Sequence, residues 1–189
     1  MQAWLWTGEA YQTAASLPLT DRGFRYGMSL FETIRIWHSR PLFFLGHLGR
    51  LREACENRGF QVDPAVLAAA ESVLQNVSDG TARIYVTAGD GPVTSSDFSH
   101  PRVFILAEKR PTPVVERCRV TILEAMYKAP FGGLKTANYW QNADALQHAL
   151  EAGYDETLLF NENSELVSAA NCCPSGALCW KFQSLPIPA

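Results

Sequence analysis

Lysine is scarce in this chain of 189 residues: Lys109, Lys128, Lys135 and Lys181 are the only four, against twelve arginines. The cysteines are odd in number, namely Cys55, Cys118, Cys172, Cys173 and Cys179, which excludes a fully paired disulfide frame and reads as reduced thiols. Cys172 and Cys173 are adjacent and no histidine follows Cys179, so the ligand spacing of a zinc site is missing and no metal is expected. No apolar run approaches the length of a membrane span. The opening MQAWLWTGEA also lacks the basic and apolar regions of a signal peptide, so a cytoplasmic protein is expected. A net charge of -3 supplies no attraction to nucleic acid or to an anionic membrane, and neither is expected as a partner. What is present, 47% hydrophobic and 19% charged residues, is the composition of a globular protein long enough to bury a core.

The periodicity changes along the chain. AWLWTG reads as an opening strand and turn, and SLFETIRIWHSRPLFF as two strands, Leu30 to Trp37 and Leu42 to Phe44, around a turn at His38-Ser39-Arg40-Pro41. Leu45, Leu48, Leu51 and Ala54 or Cys55 then recur at helical spacing up to Gly59, which predicts an amphipathic helix over Gly46 to Arg58. A second helix follows in DPAVLAAAESVLQNV, with Asp63 as N-cap and Pro64 in the first position. ARIYVTAG and RVFILAEKR are β-rich, and the order strands, helices, strands predicts an α+β layer. The Pro-rich KRPTPVVE marks an edge, so domains of residues 1–110 and 111–189 are expected. Beyond it come a strand over Arg119 to Glu124, a helix from about Asn138 to Ala152, and a hairpin pairing ETLLF with ELVS. The last stretch, CCPSGALCWKFQSLPIPA, has no sustained periodicity and receives no assignment.

One of the rare lysines sits where a strand gives way to a helix, in FGGLKTANYW. A lysine amine condenses with aldehydes, and pyridoxal phosphate is the aldehyde cofactor that such chemistry uses. By itself the segment also suits an ordinary solvated lysine at a strand end.

Three motifs in order change that balance. Asp21-Arg22-Gly23, Tyr26-Gly27 and Phe31-Glu32-Thr33 precede a hairpin and a helix carrying His47-Leu48-Gly49-Arg50-Leu51; the Lys135 segment follows, and then EAGYDETLLFNENSELVS. Together they resemble the class IV, or fold-type IV, pyridoxal-phosphate enzymes: branched-chain aminotransferases, D-amino acid aminotransferases and 4-amino-4-deoxychorismate lyases. The resemblance implies a small N-terminal α/β domain followed by part of a C-terminal β-barrel-like domain. It also implies a homodimer, pyridoxal phosphate as cofactor, and an amino acid, keto acid or amino-chorismate substrate. The function expected is that of an aminotransferase-like or aminodeoxychorismate lyase-like protein.

Residue by residue, the resemblance makes Lys135 the carrier of the internal aldimine and the base that shuttles the substrate proton. Arg50 would bind the cofactor phosphate through its guanidinium fork. It lies beside the apolar Leu48 and Leu51, whereas Arg52 lies further round the helix toward solvent. Tyr139 would donate toward the ring oxygen, and Arg83 would sit near the substrate.

The departures weigh on activity. Gly27-Met28-Ser29 stands where many relatives read Gly-Asp-Gly, and Ala169 follows Val167-Ser168 where the family places the glutamate that faces the cofactor ring nitrogen. Glu165 lies four positions earlier and would not reach by simple register. The stretch after Asn171 also leaves the family's course, and the chain stops at Ala189. A shift of reading frame, a short paralogue and an artefact of preparation are the alternatives for that tail, and the DNA would decide between them. A shortened, catalytically impaired remnant acting as a non-catalytic binding protein is therefore the rival expectation.

Overall fold

The protein is described by a computed structural model over residues 1–13, 16–110, 118–122, 127–128 and 134–171. The Pro-rich stretch after Arg110, the glycines before Leu134, and the tail with Cys172, Cys173 and Cys179 lie outside the described residues. Two compact units divide the chain: Met1–Glu116 with Ala129–Tyr139, and Arg117–Lys128 with Trp140–Ala189.

The first unit is built on a six-stranded antiparallel sheet in the order β2-β1-β6-β5-β3-β4. Its strands are β1 (Gln2–Trp6), β2 (Tyr11–Thr13), β3 (Ser29–Trp37), β4 (Arg40–Pro41), β5 (Gly80–Thr87) and β6 (Arg102–Lys109). Strand side chains alternate between faces, so one set of positions can be apolar and buried while the other remains available for a site. Leu30, Ile34 and Ile36 of β3, Ala82, Ile84 and Val86 of β5, and Val103 and Ile105 of β6 form the buried face. Helices α2 (Phe44–Asn57) and α3 (Pro64–Leu74) cover it with Phe44, Leu51, Cys55, Leu67, Ala70 and Leu74. Burying each large aliphatic side chain contributes about 1.5–3 kcal/mol, and this layer is the core.

The helix starts reflect local chemistry. The Asp63 side chain accepts from Ala65 N at 2.8 Å and Pro64 needs no partner there, so α3 begins where its sequence predicts. In α2 the buried face runs through Phe44, His47, Leu51 and Cys55, while Leu45 is 81% exposed. The expected strand at Leu42 to Phe44 is absent: Phe43 takes a left-handed conformation with φ of 51°, and α2 starts at Phe44. The hairpin before it closes through His38 and Ser39, both with positive φ (48° and 57°), while Trp37 pairs with Arg40. Two central residues of that kind suit the right-handed twist of the strands. Ser39 N donates to Ser78 O at 2.6 Å and His38 N to Asp79 Oδ1 at 3.1 Å, holding a turn without glycine.

The Asp-Arg-Gly motif is structural. Asp21 is fully buried; its Oδ1 accepts from Gly23 N at 2.7 Å, capping the short helix α1 (Arg22–Tyr26), and its Oδ2 accepts from Thr87 Oγ1 at 2.7 Å and Arg102 Nη1 at 2.8 Å. The buried Arg22 guanidinium donates to the carbonyls of Ala88, Gly89, Ser95 and Asp97, pinning the loop that links β5 to β6. A side chain at Gly23 would put its Cβ 2.7 Å from Thr87 Cγ2, so the third residue of the motif must stay bare.

The second unit holds β7 (Val120–Ile122), α4 (Trp140–Glu151), β8 (Glu156–Phe160) and β9 (Leu166–Ala169). β7 and β8 are parallel, β8 and β9 antiparallel, and the crossover between the parallel pair contains α4. The carboxylate of Glu156, 3% exposed, accepts from the backbone N–H groups of Thr157, Ala170 and Asn171. Buried carboxylates need such donors, and here they fix the chain that follows β9.

Candidate active site around Lys135

Lys135 lies beside β3. Phe31 N donates to Lys135 O at 3.0 Å, Ala137 N to Ser29 O at 3.3 Å, and Leu30 bridges Thr136 in antiparallel register. The segment 134–137 thus extends the sheet at the end of β3 that β4 does not reach. Alternation then decides which way its side chains point. Leu134 packs against the core and Thr136 is buried beside Leu30, so Lys135 stands with Phe31 on the face away from the helices.

On that face the Lys135 Nζ donates to Tyr139 Oη at 2.7 Å and lies 4.7 Å from the centre of the Phe31 ring. The Tyr139 ring meets Phe31 edge-on at 5.3 Å. Phe31 is itself held by stacking on Tyr85 at 5.3 Å, and Tyr85 on Phe104 at 4.7 Å. Burial raises the Tyr85 phenol above its ordinary pKa, so it stays protonated at neutral pH. The amine is therefore presented on a rigid aromatic row by one hydrogen bond and one cation–π contact. Arg83 pairs with Thr33, two residues along β5 from Tyr85, so the register puts it on the same face.

Arg50 is placed differently. It stands on α2, on the core side of β3, where Glu32 alternates with Leu30 and Ile34. Its Nε donates to Glu32 Oε1 at 3.0 Å and its Nη2 to Glu32 Oε2 at 3.1 Å, while His47 Nδ1 lies 2.7 Å from the same Oε2. Burial alone pushes the Glu32 carboxyl up; the hydrogen bonds from His47 and Arg50, with the Arg50 charge, outweigh it and hold the pKa below its ordinary value. Arg52 is exposed and pairs with Glu56 at 3.5 Å, one turn along the helix.

The structure thus joins Lys135 to Tyr139, sets Arg83 on their face, and gives Arg50 a fixed seat with Glu32 and His47. Sequence reasoning missed Phe31, Glu32 and His47 as participants. The signal for Glu32 was present: a carboxylate at a core-facing position of an alternating strand must have buried donors. Ala169 closes β9 opposite Leu158, a buried methyl where a carboxylate was expected, and Glu165 is tied into the preceding turn by Asn161 Nδ2 at 2.8 Å.

The family profile described as amino-transferase class IV matches residues 29–174, from the start of β3 through Lys135 and past β9. The chain belongs to the class IV aminotransferases. Among solved class IV structures, the 4-amino-4-deoxychorismate lyase of Pseudomonas aeruginosa is 27% identical, with a TM-score of 0.75 over 89% of this chain and 64% of that one. The branched-chain aminotransferase of Thermoproteus uzoniensis, solved with norvaline, is 19% identical with a TM-score of 0.72 over 90% and 63%. A hypothetical aminotransferase from Mycobacterium tuberculosis in its PLP-bound form is 19% identical with a TM-score of 0.69 over 90% and 65%. These likenesses confirm the mixed α/β class IV fold. The chain spans less than two thirds of the length of each of these proteins. No curated protein sequence matches it.

By residue type, an amine at Lys135 and a phenol at Tyr139 on the face away from the helices, and a guanidinium at Arg50 on the core side of β3, are groups that pyridoxal phosphate chemistry uses. In the second unit, the Ala169 side chain has neither charge nor acceptor.

Proposed function

We propose that the chain binds pyridoxal phosphate at Lys135 and acts on an amino acid or amino-chorismate in the manner of the class IV aminotransferases and aminodeoxychorismate lyases. The observation that carries this reading is the setting of Lys135: its amine is fixed by Tyr139 and Phe31 on the face of the sheet away from the helices, inside the region matched to the family. When bound, the cofactor supplies an aldehyde for condensation with an amine and a ring that accepts electrons released at the substrate Cα. The Lys135 amine would take the substrate Cα proton and return it, with Tyr139 Oη within hydrogen-bond reach to hold it in place. Tyr139 would donate toward the cofactor's ring oxygen, Arg50 would bind its phosphate by charge, and Arg83 would offer its charge to the substrate carboxylate. The 27% identity to the Pseudomonas aeruginosa lyase supports the lyase side of the pair. A homodimer and a cytoplasmic setting are part of the same reading. Among the described residues no helix is long and apolar enough to cross a membrane.

A second reading has its own observation. Ala169 stands where the family resemblance implies the carboxylate for the cofactor's ring nitrogen, which favours a protein that binds the cofactor with little turnover. Adding pyridoxal phosphate to the purified chain tests the first step: a new near-ultraviolet or visible absorbance band is expected, absent in Lys135→Ala while circular dichroism is unchanged. A band of equal strength in Lys135→Ala would refute the assignment. Turnover of D-alanine, branched-chain amino acids and aminodeoxychorismate by the same preparation separates enzyme from binder.

A further inference from the structure

Glu32 and His47 lie in two of the motifs that bring this chain into its family, yet neither has a part in the chemistry above. We propose that they are positioning residues for Arg50, which together hold its guanidinium as a preformed anion site. The inference rests on the reading of Arg50 as the ligand of the cofactor phosphate. Glu32 is 7% exposed and His47 8%, so a carboxylate and an imidazole are buried where β3 meets α2. A carboxylate so placed must collect donors. Both its oxygens receive the Arg50 fork, at 3.0 and 3.1 Å, and Oε2 also lies 2.7 Å from His47 Nδ1. Beside a carboxylate, Nδ1 carries its hydrogen and donates. The 2.8 Å between Nδ1 and Arg50 Nη2 is then a contact of two donors drawn to one shared oxygen. Glu32 thus engages both other side chains, while the Arg50 side chain stays 56% exposed.

Two effects of Glu32 on an incoming phosphate oppose each other. Its negative charge repels the anion. Its hydrogen bonds order the guanidinium in advance, removing the cost of immobilising a long side chain on binding. The repulsion is screened at a guanidinium in contact with solvent, whereas the ordering is not. Pre-organisation therefore wins, and loss of Glu32 weakens the site.

Calorimetry with pyridoxine 5′-phosphate and with pyridoxine tests this, because neither has an aldehyde and neither needs Lys135 to react. The wild-type chain binds the phosphate form more tightly. Glu32→Gln reduces that advantage by about tenfold, the loss of roughly one charge-assisted hydrogen bond, and leaves pyridoxine binding within about twofold. In an Arg50→Lys background, Glu32→Gln changes nothing further, since it acts through the guanidinium fork; a merely structural effect would add. If Glu32→Gln does not fold, Glu32→Asp, which keeps the charge but draws the carboxylate back by one methylene, enters the same cycle with the same sign. An advantage unchanged or increased by these variants, additive effects in the cycle, or a wild-type chain that does not distinguish the two compounds would each overturn the proposal. Failure of the Lys135 reading looks different: pyridoxal phosphate would then leave no borohydride-stable label on Lys135 although pyridoxine 5′-phosphate still binds.

Discussion

At the scale of single residues, two arginines two positions apart on one helix have different fates because of what faces them. Arg50 meets the buried Glu32, whereas Arg52 meets the exposed Glu56. Arg50→Ala should weaken binding of pyridoxal phosphate by about 1.5–3 kcal/mol and Arg52→Ala by close to zero, read from a cofactor titration; equal effects would mean that the helix faces are wrongly assigned. Glu32 makes a second prediction. Its carboxyl is held below its ordinary pKa in the folded state, so it contributes stability above the unfolded value of about 4.3, and this is lost as pH falls through the lowered folded value. Unfolding followed from pH 6 to about 2 should show a steeper acid loss in the wild type than in Glu32→Gln; parallel curves would contradict the ion-pair assignment. The asymmetry of the two arginines was legible from the helical period. The Glu32 partner was not, because the apolar stripe was read through Leu45 and Leu48 while the fold turns His47 inward to meet a carboxylate.

At the scale of elements, most of the first sheet and both of its long helices follow from period and capping. Asp63 before Pro64 set the start of α3, and the structure shows the hydrogen bond responsible. Asp63→Ala should cost about 1 kcal/mol in thermal or denaturant unfolding, and Asp63→Asn much less, because asparagine also caps; no loss in the alanine variant would remove the cap from the account. The expected strand over Leu42 to Phe44 failed for a stated reason: the two-residue turn at His38-Ser39 uses Arg40-Pro41 as its whole return strand, and Phe43 in the left-handed region turns the chain into α2. A strand ending at Lys135 was legible in FGGLKTANYW, but the strand it pairs with was not. Its pairing is supplied by Phe31 N and Ser29 O of β3, about a hundred positions earlier in the chain.

At the scale of the whole molecule, the fold is that of the class IV aminotransferases, and the open question is how much of their chemistry this chain retains. Ala169 is the position on which this turns, because a carboxylate facing the cofactor's ring nitrogen steadies its protonated form, and each pKa unit of that effect corresponds to about 1.4 kcal/mol. The purified chain should therefore turn over family substrates poorly, and Ala169→Glu should raise the rate by at least about tenfold; family-level turnover without the glutamate would mean that another group replaces it. Binding comes before turnover, and binding depends on one amine. The most direct measurement is to add pyridoxal phosphate to the purified protein, reduce with borohydride, digest, and map the labelled lysine by mass spectrometry. The account predicts label on Lys135, held as it is by Tyr139 and Phe31. Label on Lys109, Lys128 or Lys181 instead, or no label on any lysine, would contradict it.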